Sequence, residues 1–138
     1  MMKKLLIFGL IIVILISGCT QGSMGVNDLL QKGIDSFVGK SVTVNGQLGF
    51  NCPTVIGASY PQDCIAEICD SSGAACMNLH VDNNPKIKET LNGYYNVSSG
   101  KKVNISVTGV LEKNSCPSND NACSATYFIQ VSDIRIIP

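Results

Sequence analysis

The fold is decided by the stretch Ser41-Val42-Thr43-Val44-Asn45-Gly46-Gln47-Leu48-Gly49-Phe50. Its even positions are apolar apart from one glycine and its odd positions are polar or small, which is the period of a half-buried β-strand. Gly46 interrupts the apolar face, and a glycine there commonly permits the bulge or sharp coiling that a small closed barrel requires. The stretch therefore predicts the first strand of a small, strongly curved sheet.

Four further strands are predicted downstream of this one. The first two flank Asp70-Ser71-Ser72-Gly73, a turn-rich tetrapeptide, so they should form a hairpin. The last strand changes parity near Ser132-Asp133, which predicts a β-bulge. The four strands span residues 64–69, 75–81, 102–111 and 126–137.

Two helices are also predicted. The shorter one runs from an Asn27 N-cap to a stop at Gly33 and leads into the domain. The longer one begins at Asn83-Asn84-Pro85, carries an apolar pair four residues apart and stops at Gly93. It falls between the third and fourth predicted strands.

This order of elements resembles the OB-fold, a five-stranded Greek-key barrel that commonly carries a helix at this point. The segments that resemble its first, fourth and fifth strands are Val38–Gly46, Val103–Leu111 and Phe128–Ile134. We therefore expect a mainly β, OB-fold-like domain over residues 36–138. Another small barrel or sandwich is the alternative. The resemblance implies binding of an oligonucleotide or oligosaccharide across the second and third strands and the long loops.

The N-terminus has the order of an export signal, preceding the domain as a signal helix. Two lysines are followed by an uninterrupted apolar run from Leu5 to Ile16 and then by small residues. The end of the run, Ile16-Ser17-Gly18-Cys19, resembles the lipobox of bacterial-type lipoproteins. In that family a lipid is joined to the cysteine thiol, and cleavage leaves the cysteine as the new N-terminus.

The lipobox resemblance implies a domain organisation and a location. Residues 1–18 would be a signal peptide, Cys19 the lipid attachment site, and residues 19–35 an anchored tether with the short helix. The domain would then lie on the extracytoplasmic face of a membrane. A retained, uncleaved anchor and an ordinary signal peptide with a chance cysteine are the alternatives.

Once Cys19 is assigned to the lipid, the other cysteines of the seven form an even set, which predicts three disulfides in an oxidising compartment. On the OB-like barrel, the two cysteines beside the hairpin turn could pair, the two in the last loop could pair, and the first two would remain for the first loop. This is one of several possible connectivities. The pairs are Cys69 with Cys76, Cys116 with Cys123, and Cys52 with Cys64.

No motif in the sequence indicates an enzyme, a metal site or a cofactor. The cysteine spacings contain no CxxC, which disfavours zinc binding and thiol redox catalysis. His80, the only histidine, falls on the outward parity of its strand, and no nucleophile motif surrounds it. The lipid anchor and the barrel are also similar to those of the haem chaperone of cytochrome c maturation. That family attaches haem through a histidine in its C-terminal region, whereas His80 lies in mid-chain, so haem transfer is not expected. A cysteine- or histidine-dependent ligand-handling or redox enzyme is the alternative.

The charge balance and the aromatic content of the sequence indicate which partners to expect. Ten basic and ten acidic residues, two of the basic ones in the signal, leave a slightly acidic domain, so nucleic acid is not expected. The second and third strands also lack the aromatic and basic residues of single-strand binders. The candidate ligand-binding residues are Phe50 and Tyr60 near the first loop and Tyr127 in the last strand, although core packing would explain them equally well. Asn96 and Asn104 begin N-glycosylation triplets.

The sequence therefore predicts a membrane-tethered extracytoplasmic binding module. Its expected contacts are the membrane, through the lipid, and an envelope protein or a glycan. A purely structural envelope protein is a further alternative.

Overall fold

The computed structural model describes residues 22–82, 84–97, 101–115 and 126–138. Within them the chain forms six β-strands, two α-helices and a 3-10 helix at Ile34–Phe37. The strands are β1 (Met24–Gly25), β2 (Ser41–Asn51), β3 (Ile65–Cys69), β4 (Cys76–His80), β5 (Asn104–Asn114) and β6 (Thr126–Ile136). The helices are α1 (Val26–Gln31) and α2 (Pro85–Val97).

The strands form one mixed sheet in the order β1-β2-β3-β4-β6-β5. Because β2 also pairs with β5, the five longer strands close into a ring. The pairs β1–β2 and β4–β6 are parallel, and the others are antiparallel. The chain is thus mainly β and OB-like, as the order of elements predicted.

The sheet differs from the prediction in its number of strands, which is six instead of five. The additional strand, β1, is two residues long, and two residues cannot show the alternation by which strands are recognised. With β1 counted, α2 follows the fourth of six strands. The sequence placed the start of the barrel at residue 36, whereas β1 already pairs with β2, and Val26 and Leu29 of α1 are buried.

Gly46 marks the point where β2 changes partners. The strand pairs with β5 over residues 41–47 and with β3 over residues 47–51. A Cβ at Gly46 would overlap the carbonyl oxygen of Cys69 and lie 2.8 Å from Cγ1 of Ile68. Only a glycine lets the neighbouring strand approach this closely, so the predicted coiling of the first strand is confirmed.

The predicted bulge in the last strand is confirmed as well. The register of β5 with β6 shifts between Thr108 and Gly109, which pair with Asp133 and Val131. Ser132 is the extra residue, and its hydroxyl donates to the carbonyl oxygen of Thr108 at 3.1 Å. The bulge moves the inward-facing parity from Val131 to Ile134 along β6.

The core fills the ring and continues under both helices. Ile87 and Leu91 pack α2 onto it, and full burial of such a side chain is worth about 1.5–3 kcal/mol. The ten largest side chains that are less than 2% exposed come from α1, α2 and four of the strands: Leu29, Ile68, Leu91, Ile105, Leu111, Ile129, Val26, Val42, Val44 and Val107.

The helix ends differ from the predicted ones. The N-cap of α1 is Gly25, whose N–H donates to the carboxylate of Asp28, while Asn27 donates its side-chain N–H to Asp70 at 2.8 Å. Asn84 accepts the N–H of Ile87 at 3.3 Å, which confirms the capped start of α2.

The predicted stop of α2 at Gly93 is wrong, because the helix continues to Val97. Leu91 and Tyr95 extend its apolar stripe onto the core, and this packing outweighs the roughly 1 kcal/mol that a helical glycine costs. Asn96, which begins one of the N-glycosylation triplets, therefore lies in the helix.

No helix in the described ranges is long and apolar enough to cross a membrane. The predicted signal (residues 1–18), Cys19, Cys116 and Cys123 lie outside the described residues.

Candidate functional site

The β2–β3 loop, residues 52–64, is closed at its base by a disulfide between Cys52 and Cys64. A second disulfide joins Cys69 to Cys76 across the β3–β4 hairpin. Both pairings were predicted and are confirmed, whereas the predicted Cys116–Cys123 pair lies outside the described residues. Cys64 is buried at 4% exposure, so the loop is anchored in the core on its β3 side.

An aromatic cluster packs beneath this loop. The ring of Phe50 lies edge-on to Tyr60 and to Tyr95, with centroid distances of 5.2 and 5.1 Å. Tyr60 is 8% exposed, and burial raises the pKa of its hydroxyl. The Tyr95 hydroxyl donates to the carbonyl oxygen of Ala58 at 2.8 Å, which ties the loop to α2. The cluster therefore fixes the loop on two sides.

The structure thus brings two of the three predicted ligand-binding residues, Phe50 and Tyr60, into contact, but as packing partners below the loop. Tyr95 completes the cluster and was not singled out from the sequence. Tyr95 lies four residues after Leu91, so it continues the apolar face of the helix, and this spacing could have identified it. The expected stop at Gly93 excluded Tyr95 from the predicted helix.

Large aliphatic side chains occupy the exposed part of the loop. Val55 is 61% exposed and Ile56 is 108% exposed relative to an extended reference, while Ile65, next to the disulfide, is 46% exposed. Single exposed aliphatics are ordinary, but adjacent ones on a pinned loop form a contiguous apolar surface.

Further partly exposed side chains lie on the outer face of the sheet. The rings of His80 and Phe128 stack with centroids 4.0 Å apart and an interplanar angle of 25°. Ile65 and His80 lie on the outer face of the neighbouring strands β3 and β4, since each is followed or preceded by a buried residue. We use the term apolar surface for Val55, Ile56, Ile65, His80 and Phe128 together.

Of the apolar surface, only His80 was discussed from the sequence, and the position of Phe128 beside it could not be predicted. Phe128 reaches His80 because β6 pairs in parallel with β4, which is a contact between segments far apart in the chain. His80 itself lies on the outer face beside buried Leu79, as its strand parity predicted.

Glu67 lies beside the hairpin disulfide. A carboxylate oxygen of Glu67 and the sulfurs of Cys69 and Cys76 are all within 4.8 Å of one another. The two sulfurs are bonded to each other, so neither is a thiolate that could bind a metal ion. Burial raises the pKa of Glu67, since its ionised form loses hydration on the sheet face.

Tyr127, the third predicted ligand-binding residue, has a different environment. Its hydroxyl donates to Oδ1 of Asp35 at 2.8 Å, and Nζ of Lys113 donates to the same oxygen at 2.7 Å. The hydrogen bond from Lys113, followed by that from Tyr127, lowers the pKa of Asp35. The bond to Asp35 in turn raises the pKa of Lys113. These three residues join the 3-10 helix to the ends of β5 and β6.

Comparison with known proteins gives the fold and no family. No family model matches the chain, and no curated protein matches it. Among solved structures, a putative aspartyl-tRNA synthetase from Leishmania major Friedlin is 11% identical with a TM-score of 0.52; the match covers 88% of this chain and 21% of that one. OBody NL8 bound to hen egg-white lysozyme is 16% identical with a TM-score of 0.49, over 72% of this chain and 96% of that one. At 11% identity the likeness to the synthetase concerns the fold alone.

Proposed function

We propose that this chain is a membrane-tethered extracytoplasmic binding module whose partner is a protein, and that the apolar surface is its contact. The observation that carries the proposal is the exposure of Val55 and Ile56 on a loop that a disulfide and an aromatic cluster hold in place. Neither residue supports the fold, because neither packs into the core.

The energetics favour such a loop as a contact. Full burial of a valine or isoleucine is worth about 1.5–3 kcal/mol, so the two tip residues together supply roughly 3–6 kcal/mol before ordering costs. Those costs are reduced because the Cys52–Cys64 disulfide and the bond from Tyr95 to Ala58 already restrict the loop. Ile65 and Phe128 enlarge the same surface.

The position of the loop favours a protein partner over the bilayer. Met24 pairs in parallel with Val44, so the chain enters beside the Ser41 end of β2, whereas the loop follows Asn51 at the other end. From Val44 to Asn51 the strand is about 23 Å long. The segment from Cys19 to Met24 extends to about 17 Å at most. A lipid on Cys19 would hold the entry side near the membrane, and the loop would face away from it.

No catalytic role is included in this proposal. His80 stacks on Phe128, and four of the cysteines are joined in disulfides. Each of these groups thus has a structural contact that accounts for it.

The test compares the lipidated protein with a double variant, Val55→Ser/Ile56→Ser, in native membranes. A matched control is Ile136→Ser, since Ile136 is 44% exposed and lies on β6 away from the loop. Chemical cross-linking followed by mass spectrometry should give the same protein partner for the wild type and the control, and at least a tenfold lower yield for the double variant. A yield that the double variant does not lower, or binding of all three forms to protein-free vesicles only, would remove the basis of the proposal.

A further inference from the structure

A second candidate site lies between the middle of β2, the start of α1 and the turn that follows β3. It is a cavity of about 380 Å³, which we call the amide pocket. Four of its lining residues are carboxamides, two are carboxylates and one carries a hydroxyl: Asn27, Asn45, Gln47, Asn104, Asp28, Asp70 and Ser71. Gly25, Gly46 and Ile137 complete it.

Asn45, one of the lining residues, has a side-chain acceptor without a hydrogen-bond partner among the described residues. Its Oδ1 is buried and accepts no hydrogen bond from the described residues. An unsatisfied buried acceptor costs about 1–3 kcal/mol, and a ligand hydroxyl or N–H that reached this oxygen would recover that cost. Gln47 lies on the same face of β2, two residues along, and offers both an amide donor and an acceptor.

The charges of the pocket disfavour anions. The lining contains no lysine, arginine or histidine that could attract a phosphate or a carboxylate. Asp70 already accepts hydrogen bonds from Ser72, from Asn27 and from the N–H of Ala74, and these donors, Ser72 first, lower its pKa. Asp28 accepts the N–H of Gly25. Both carboxylates therefore already have hydrogen-bond partners in the local structure.

The groups that remain are carboxamides and a hydroxyl beside one aliphatic wall. A carboxamide presents a donor and an acceptor side by side, which matches two neighbouring hydroxyls of a sugar ring. Ile137 offers the apolar contact that the C–H face of such a ring requires. We propose that the amide pocket binds one neutral sugar unit of a glycan.

The test is an NMR titration of the full lipidated protein in detergent micelles with glucose and with N-acetylglucosamine. At least one of the two sugars should shift the amide signals of Asn45, Gln47 and Ser71 in a saturable way. Gln47→Ala should weaken this binding about fivefold, the equivalent of one neutral hydrogen bond. The control, Gln130→Ala, alters an outward glutamine on β6 outside the pocket and should bind as the wild type does.

Three outcomes would overturn the proposal: no saturable shift with either sugar, equal weakening by the two glutamine variants, or saturation by calcium chloride in place of sugar. The loop variant Val55→Ser/Ile56→Ser should bind the sugar unchanged. Loss of partner binding in that variant and loss of sugar binding in Gln47→Ala are separate results, so the two proposals can fail independently.

Discussion

Removing the Cys52–Cys64 disulfide should destabilise the domain and release the β2–β3 loop, whereas removing Cys69–Cys76 should only destabilise the domain. The closed loops have sequence separations of 12 and 7 residues. The entropy that each cross-link removes from the unfolded chain gives losses of about 2.8 and about 2.4 kcal/mol. The pair Cys52→Ala/Cys64→Ala and the pair Cys69→Ala/Cys76→Ala should therefore differ little in global stability, as measured by urea unfolding.

A local measurement separates the two variants. The protein has no tryptophan, so its near-ultraviolet circular dichroism comes largely from tyrosines, two of which are in the cluster under the β2–β3 loop. Opening that loop frees Tyr60 from Tyr95 and should reduce the signal, while the hairpin variant should keep it. Protease cleavage between residues 53 and 63 should appear only in the loop variant. An unchanged tyrosine signal with a loss below about 1 kcal/mol would refute the inference that this disulfide pins a packed loop.

Three further predictions concern charge and packing. Glu67→Gln should raise the free energy of unfolding near neutral pH, because burial raises the pKa of this carboxyl and its ionised form is the costly one; in urea unfolding against pH the gain should vanish below about pH 4. Asp35→Asn should lower stability at neutral pH, because the hydrogen bond from Lys113 lowers the pKa of Asp35. That contribution is present above the unfolded pKa of about 3.9 and is lost as the pH falls through the lowered folded pKa, so wild type and variant should converge below that pKa. Gly109→Ala should cost about 1–3 kcal/mol by thermal unfolding, because its Cβ would overlap a carbonyl of β6, whereas Gly93→Ala, with open space around it, should be neutral or stabilising.

The parts of the fold that follow a period were predictable from the sequence. Alternation identified β2, β5 and β6, and the change of parity near Ser132 located the bulge, because an inserted residue must reverse the faces of a strand. The turn at Asp70-Ser71-Ser72-Gly73 identified the hairpin, and with it the Cys69–Cys76 pair. These are local signals, and each depends on only a few neighbouring residues.

The candidate sites depended on contacts that no local pattern contains. Phe128 meets His80 through a parallel pairing of distant strands, and Tyr95 meets Phe50 across the loop from α2. The amide pocket combines residues of α1, β2, the hairpin turn and the start of β5. Phe50 and Tyr60 were selected by type and position alone, and residue type does not reveal whether a ring is stacked in a cluster or open to a ligand.

The N-terminal entry of the chain and the β2–β3 loop lie at opposite ends of β2, and this arrangement has a mechanical consequence. The chain enters beside one end of β2 and the pinned loop leaves the other, so tension between them acts along the strand. Hydrogen bonds to β3 and β5 would then be loaded in shear, where several must break together, and not peeled apart one after another. The Cys52–Cys64 bond further divides that tension between β2 and β3. If the domain is tethered at its N-terminus and bound through the loop, as proposed, a pull between the two would therefore load the sheet in shear.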